Sequence, residues 1–491
     1  MTPATTANTT PAAPRSVPRD IHGISRKQIS PNALRVLYKL GEAGFDAYIV
    51  GGAVRDLLVG GRPKDFDVAT NATPEQVKAL FRNCRLIGRR FRLAHVFYGP
   101  EIIEVATFRA NSDDGSGDRE THEGGRLLRD NVYGSIEDDA VRRDFTVNAL
   151  YYGVRDFAVL DFVGGWEDIQ HRRLRLIGDP ELRYREDPVR MLRAARLSAK
   201  LGFGIDPATA APIPALAHLL AEAPPARLFD EMLKLFQAGY GLASFDALED
   251  LGLLAALLPE TAAALAEDPD GRQRAMLRQA LANTDARVRE GKAVTPYFLF
   301  AALLWPAFRR ELGALAHEHL DPLAMQQRAA DRVTFHQAKR IAMPRRFSIP
   351  MQEIWLLQAR FDIRQRKRVF RLMAHPRFRA AYDFLALRTI EQPELAEPVA
   401  FWTQAQELPA QDLAAQLVPP PRGRAPARDG HAGQAHDHAE VSAGAGPHAA
   451  ADVHAQSDAS ASGDGPRKRR RPRRRKRHAS ASDAGVPDTS P

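Results

Sequence analysis

The 491-residue sequence predicts two ordered parts, an α/β head with a small mixed sheet and an all-α region, followed by a disordered basic tail. Three observations carry this expectation. Up to about Asp168, short β-rich runs alternate with helical stretches; beyond about Asp187 the pattern is almost wholly Leu/Ala-periodic; from Pro419 onward there is no Phe, Tyr, Trp, Leu, Ile or Met. Alternating strands and helices point to an α/β unit, a 3.6-residue apolar repeat points to amphipathic helices, and a segment without large apolar side chains cannot offset the entropy of its own ordering.

In chain order, residues 1–29 are expected to be loose, and Met1 to Asp20 has no apolar core of the signal-peptide kind. Ser30-Pro31 reads as an N-cap and first helical position, and Gly44 closes that helix. Ala47–Val50 reads as a strand that runs through Gly51-Gly52 into a short helix from Ala53, with a second strand over Asp65–Thr70. Thr73-Pro74-Glu75-Gln76 opens the next helix as a capping box. Leu86–Gly88, His95–Gly99 and Ile102–Phe108 read as further strands, and Gly202, Pro224-Pro225, Gly252 and Pro296 punctuate the helical part. The expected divisions are a head at 30–170, helical segments at 171–260 and 261–418, and the tail at 419–491.

Composition narrows the function classes. A single cysteine, Cys84, permits no intrachain disulfide and no thiolate zinc site, which fits a reducing compartment. The longest apolar run, Tyr297 to Phe308, is too short to span a bilayer. A secreted disulfide scaffold and an integral membrane protein are thereby excluded. The net charge of +9 is local: residues 467–477 hold ten Arg and Lys and no acid, beginning Arg467, Lys468, Arg469, Arg470 and Arg471. Such a run contacts polyphosphate, RNA, DNA or an anionic surface. His431, His436, His438, His448 and His454 are irregularly spaced and read as part of a solvated linker rather than a metal site.

The segment from Tyr48 to Val68 carries the chemistry. A strand ending in Gly51-Gly52 and entering a helix lets backbone N–H groups approach a phosphate, with the helix N-terminus adding favourable partial charge. Arg55, in the first turn, is placed to fork onto phosphate oxygens. In Asp65-Phe66-Asp67, strand alternation puts both carboxylates on one face and Phe66 towards the core. Paired carboxylates repel unless a cation joins them, and an open oxygen site of this kind suits Mg²⁺ (or Mn²⁺), completed by substrate phosphates. Gly-Gly or Asp-x-Asp alone is commonplace; their combination on neighbouring strands is not.

Other clusters leave two readings each. Glu104, in Ile103-Glu104-Val105, is either a third acid beside Asp65 and Asp67 or a solvent-facing strand glutamate. Asp144, in Arg142-Arg143-Asp144, is either part of a phosphate-neutralising cluster or a helix N-cap on a basic surface. Asp187-Pro188 reads first as an N-cap and first-turn pair, although Arg190 and Arg193 stand one turn apart on one face, as base- and phosphate-reading groups would. Arg360–Arg379 holds eight Arg/Lys, among them Arg364, Arg366, Lys367, Arg368 and Arg371, interleaved with Phe361, Phe370 and Phe378. This suits single-stranded RNA equally as well as an amphipathic helix with core aromatics.

In this order, the clusters resemble the class II nucleotidyltransferase family of bacterial poly(A) polymerases and CCA-adding enzymes, closely over about residues 30–260 and more loosely beyond. Leu86–Phe97, the polar insertion Ala110–Asp130 and the Arg-rich C-terminal extension resemble the poly(A) polymerase side. The resemblance implies a head, neck, body and leg, with Asp65 and Asp67 holding catalytic divalent ions and Asp144 as a further active-site acid; Glu104 stays a candidate third metal-site acid on its strand position alone. The resemblance also implies that Gly51, Gly52 and Arg55 take the triphosphate with Arg143 assisting, and that Asp187, Arg190 and Arg193 contact the incoming nucleotide. The implied reaction adds AMP from ATP to RNA 3′-hydroxyls in a bacterial cytoplasm, with the 467–477 run supplying sequence-independent RNA affinity. CCA addition to tRNA is the alternative within the family, and a catalytically silent RNA-binding protein the alternative outside it.

Overall fold

A computed structural model of the chain describes residues 14–88, 92–110 and 133–417. The tail with its 467–477 run, nearly all of the polar insertion, and residues 1–13 lie outside the described residues. Among the described residues, eight strands form one sheet: β1 (Arg15–Val17), β2 (Ala47–Val50), β3 (Asp67–Thr70), β4 (Cys84–Ile87), β5 (Leu93–Tyr98), β6 (Glu101–Thr107), β7 (Leu150–Gly153) and β8 (Val159–Asp161). Their spatial order is β1-β8-β7-β2-β3-β6-β5-β4. Only β3 and β6 run parallel; the other neighbours are antiparallel, so the sheet is mixed as expected.

Local chemistry explains the first elements. Ser30 accepts from the Asn32 amide at 3.1 Å and Pro31 starts α1 (Pro31–Glu42), whose Ala33, Val36, Leu37 and Leu40 are buried; Gly44 follows at φ +86°. The Thr73 hydroxyl accepts from the Gln76 amide at 3.3 Å while the Gln76 side chain accepts from the Thr73 amide at 2.8 Å, the reciprocal cap that begins the helix at Pro74. Ile49, Val68, Val105 and Val96 join the α1 residues in one apolar core.

Two sequence expectations change here. Residues 1–29 are not uniformly loose: β1 pairs with β8, Val17 is buried, and the buried His22 ring nitrogen Nε2 lies 2.8 Å from the Phe157 carbonyl oxygen. A three-residue strand is too short to show periodicity, so nothing in the sequence announces it. The second strand begins at Asp67 rather than Asp65; Asp65 lies on the preceding loop, although Phe66 is buried as expected.

Beyond the sheet the chain is helical. The helix α2 (Gly52–Leu58) leaves the Gly-Gly turn, and α3 (Ile136–Val141) precedes Arg142. The neck contributes α4 (Val189–Leu201), ended by Gly202 at φ +63°, and α5 (Pro225–Phe236), started by Pro225. The apolar run at Tyr297–Phe308 divides into α6 (Pro296–Leu303) and α7 (Trp305–Leu315), buried on several sides, which accounts for its unbroken hydrophobicity. Further on stand α8 (Pro322–Arg340), α9 (Arg345–Leu357), α10 (Arg366–Met373) and α11 (Phe378–Arg388). One core runs from Val17 to Leu387, and a second gathers Phe361, Val369, Phe378 and Trp402. Among the described residues no helix is long and apolar enough to cross a membrane.

Candidate active site

The site forms where β2 ends. Val50 pairs with Asp67 and Asp67 pairs with Glu104 across the parallel β3–β6 contact, while Glu104 pairs with His95. The Gly-Gly turn therefore leaves the sheet beside a row of Asp67, Glu104 and His95, with His95 Nε2 3.3 Å from a Glu104 carboxylate oxygen. Gly51 has φ +75° and ψ −137°, a conformation that only glycine adopts readily. A Cβ there would lie 3.7 Å from Arg143 Nη1, and one on Gly52 would lie 3.3 Å from Arg55 Nη2. Two guanidinium groups thus frame the turn, Arg143 at Gly51 and Arg55 at Gly52.

Both arginines are held from behind. Arg55 is buried; its Nε and Nη2 donate to Asp56 Oδ1 at 2.9 and 2.6 Å, and its Nη1 donates to Asn148 Oδ1 at 2.5 Å. Arg143 donates through Nη2 to Asp139 Oδ2 at 2.8 Å and through Nε to the Tyr151 hydroxyl at 3.0 Å, while that hydroxyl donates to Asp139 at 2.8 Å. The guanidinium also lies over the Tyr151 ring, 5.3 Å from its centroid.

Asp65 and Asp67 line a cavity of about 980 Å³ together with Gly52, Arg55, Lys64, Arg172, Lys200, Lys234 and Tyr240. Asp67 opens onto it, yet the surrounding protein mass withdraws its carboxyl from bulk water, and this with the Glu104 charge lifts its pKa from 3.8 to about 6. The donor set is thus oxygen-rich and self-repelling, which fits a hard divalent cation. Among the described residues, no three His, Cys, Asp or Glu side chains gather closely enough to hold an ion by themselves.

Asp144 is placed differently. Its carboxylate accepts from Arg193 Nε at 2.7 Å and again from Arg193 Nη2, from Asn148 Nδ2 at 3.0 Å and from the Phe145 amide at 2.7 Å. Burial alone would raise its pKa; the Arg193 charge and these hydrogen bonds bring it down to about 2. With Asp187, Arg190, Arg193, Arg227 and Lys234 it lines a second cavity of about 390 Å³, which shares Lys234 with the first. Asp187 accepts from the Val189 amide at 3.3 Å and from Arg227 Nη2 at 2.9 Å; the helix starts at Val189 with Pro188 as its N-cap, one residue later than the sequence reading placed it. Arg190 turns to Glu186 at 2.9 Å and to the Arg183 carbonyl at 2.7 Å.

The remaining sequence candidates separate. Phe361 and Phe378 are core residues around Trp402, and Phe370 packs against that core, so the aromatics of Arg360–Arg379 offer no open stacking face. Arg364 pairs with Glu397 and lies over Phe401 at 4.6 Å. Arg366, Lys367, Arg368 and Arg371 are exposed on α10. Arg467, Lys468, Arg469, Arg470 and Arg471 lie outside the described residues. Sequence reasoning missed Asp139, Tyr151, Asn148, Lys200 and Lys234. Three of them left a trace: Lys200 stands two turns beyond Arg193 on the same helix, Asp139 four residues before Arg143 and Asn148 four after Asp144.

A mixed sheet whose strand–Gly-Gly–helix turn meets a carboxylate pair, mounted on a helical neck, defines a nucleotidyltransferase-type protein. Residues 47–175 match the Poly A polymerase head domain, 202–265 the probable RNA and SrmB-binding site of polymerase A, and 318–433 the polymerase A arginine-rich C-terminus. The chain is 50% identical to Poly(A) polymerase I of Escherichia coli O6:H1, covering 85% of this chain and 93% of that protein. It is 47% identical to Poly(A) polymerase I of Haemophilus influenzae, over 78% and 86% respectively. The chain belongs to the poly(A) polymerase family. Among solved structures, the Bacillus stearothermophilus CCA-adding enzyme in complex with CTP is similar at 25% identity and a TM-score of 0.51, covering 79% of this chain and 82% of that one.

Proposed function

We propose that the protein is a polynucleotide adenylyltransferase that adds AMP from ATP to RNA 3′-hydroxyls without a template and releases pyrophosphate. The observation that carries this reading is the Gly51-Gly52 turn, framed by Arg55 and Arg143, beside the Asp67–Glu104 pair. Arg55, Arg143 and the glycine amides hold the triphosphate, with Lys64, Arg172, Lys200 and Lys234 giving the cavity its positive lining. Asp65 and Asp67, with Glu104 beside them, are the residues that would hold Mg²⁺ or Mn²⁺. When bound, such ions lower the pKa of the attacking hydroxyl and stabilise charge on the leaving pyrophosphate. The protein's own share is positioning: it aligns the 3′-oxygen with the α-phosphate, and the bond to pyrophosphate breaks as the new ester forms.

Asp187, Arg190 and Arg227 line the second cavity and are assigned to the nucleotide. Asp144 serves the site by holding Arg193 and Asn148 in place. In a bacterial cytoplasm this activity places the protein in mRNA processing.

Primer extension with each nucleotide separately tests the reading. Long ladders with ATP alone are the expected product; three added residues requiring CTP and ATP would assign CCA addition instead. Asp65→Asn and Asp67→Asn should each lower AMP addition by about 10³-fold or more while leaving the folded structure intact. Near-normal turnover by either variant removes the metal assignment.

A further inference from the structure

Arg360–Arg379, which the sequence left open between an RNA surface and an amphipathic helix, has its aromatics in the core, but an exposed aromatic among cations stands elsewhere. Phe335, on α8, is 62% exposed, and Lys339, one turn on, sits 4.6 Å from its ring centroid. The helix α9 runs alongside, because Gln352 Nε2 donates to Asp331 Oδ1 at 3.1 Å and Thr334 Oγ1 at 3.0 Å. Helical spacing then puts Arg345 and Ile349 on the same α9 face as Gln352, next to the Phe335 stripe of α8. Ile349 is 44% exposed, and Lys339, Arg345 and Arg346 are exposed as well. None of these three cations has a carboxylate within ion-pair distance among the described residues. An exposed ring that carries Lys339 over one face, with Arg345 on the neighbouring helix face and Arg346 beside it over the Phe347 ring at 4.9 Å, matches the chemistry of a base over a charged backbone.

The surface also joins the site. The turn after α8 is bonded to the start of α5, with the Ala342 amide donating to the Pro225 carbonyl at 3.1 Å, and Phe347 stacks on Phe229 of α5 at 5.9 Å. Arg227, in the first turn of α5, reaches the cavity that holds Asp187. The start of the α8–α9 connection is thus fastened two residues from Arg227, so the hairpin adjoins the end of α5 that lines the second cavity.

We propose that the α8–α9 hairpin is a stacking site for the single-stranded RNA upstream of the 3′ end, with Phe335 under a base and Lys339, Arg345 and Arg346 on phosphates. The direction of the strand rests on the polyadenylation reading; the binding chemistry does not. The site makes affinity depend on primer length, since a short primer fills the catalytic cavity without reaching the hairpin.

Fluorescence anisotropy of the full chain with 5′-labelled oligo(A) of about 4 and about 20 nucleotides, without ATP, tests this, followed by extension of both primers. Phe335→Ala should weaken the long oligonucleotide about tenfold and leave the short one unchanged, with recovery in Phe335→Trp. The triple variant Lys339→Ala, Arg345→Ala, Arg346→Ala should reduce the salt slope for the long oligonucleotide by about two. Wild-type affinity for both lengths in Phe335→Ala, or equal loss on both, overturns the proposal. So does unchanged RNA affinity in the triple variant with lost binding to phosphatidylserine vesicles, which would assign the surface to a membrane. Length-dependent binding by the unaltered protein without ATP-dependent extension would instead remove the polyadenylation reading and leave the RNA site standing.

Discussion

Asp67, proposed above as a metal-site residue, shows how the fold tunes a carboxylate. Its pKa of about 6 means that the folded protein holds this proton more tightly than the unfolded chain, whose carboxyl titrates near 3.8. Above pH 6 the anion therefore costs stability, and a proton competes with the metal as pH falls through 6. AMP addition at limiting Mg²⁺ should decline below about pH 6 and recover as Mg²⁺ is raised. A pH–rate series at two Mg²⁺ levels checks this, and Asp67→Asn should keep or raise the metal-free unfolding midpoint at pH 7. Arg143 is the opposite case, a cation whose direction is set by others. Asp139→Asn weakens the buried bond that fixes Arg143, so KM for ATP should rise about tenfold with a smaller change in kcat, and Tyr151→Phe should do so more weakly. Steady-state kinetics on both variants separates this from a general loss of folding, which would lower the active fraction at unchanged KM.

Among the elements, α4 bears the largest responsibility. Arg193 binds Asp144 of the head and lies 3.8 Å from Glu231 of α5, which also accepts from Arg196 at 2.9 Å and Lys234 at 3.0 Å. Removing Arg193 leaves two largely buried carboxylates short of a partner, so Arg193→Ala should destabilise the protein by about 3–5 kcal/mol, read by urea unfolding. Asp144, with its depressed pKa, contributes stability above about pH 4 that is lost as pH falls towards 2, so the variant should also lose part of the wild-type acid dependence. The elements differ in how legible they were. Ser30-Pro31, Thr73–Gln76 and the Gly51-Gly52 turn were readable because caps and positive-φ turns are encoded by adjacent residues. That Glu104 stands opposite Asp67 was not legible, because register is recorded by no single strand. Lys200 and Lys234 were invisible because their relation to the site exists only after distant segments converge, whereas Asp139, four residues before Arg143, was a local i,i+4 pair that the reading passed over. The Phe361 and Phe378 pattern left two readings open because an arginine-rich amphipathic helix and an RNA platform share one composition, and packing places these two rings in the core.

Across the whole molecule, a polar chain links nucleotide turn to neck. Lys200 holds Asp56 at 2.8 Å, Asp56 holds Arg55, Arg55 holds Asn148, Asn148 holds Asp144, and Asp144 holds Arg193. Every member of this network lies among the described residues. Deletion of residues 419–491 should weaken RNA binding at low salt, with a shallower salt dependence, and leave the single-turnover rate nearly unchanged. Loss of the chemical step on deletion would refute that division of labour.

The pairing of β1 with β8 has a practical side. A trimmed protein beginning at Ser30, the natural choice for anyone guided by composition, would strip the cover from a flank of the sheet. The bared backbone of Val159–Asp161 would then be open to any passing extended segment, including the same region of another molecule. The unassuming Arg15–Val17 stretch thus works as a guard against self-adhesion, and expression versions that keep it should stay dispersed where shorter ones clump.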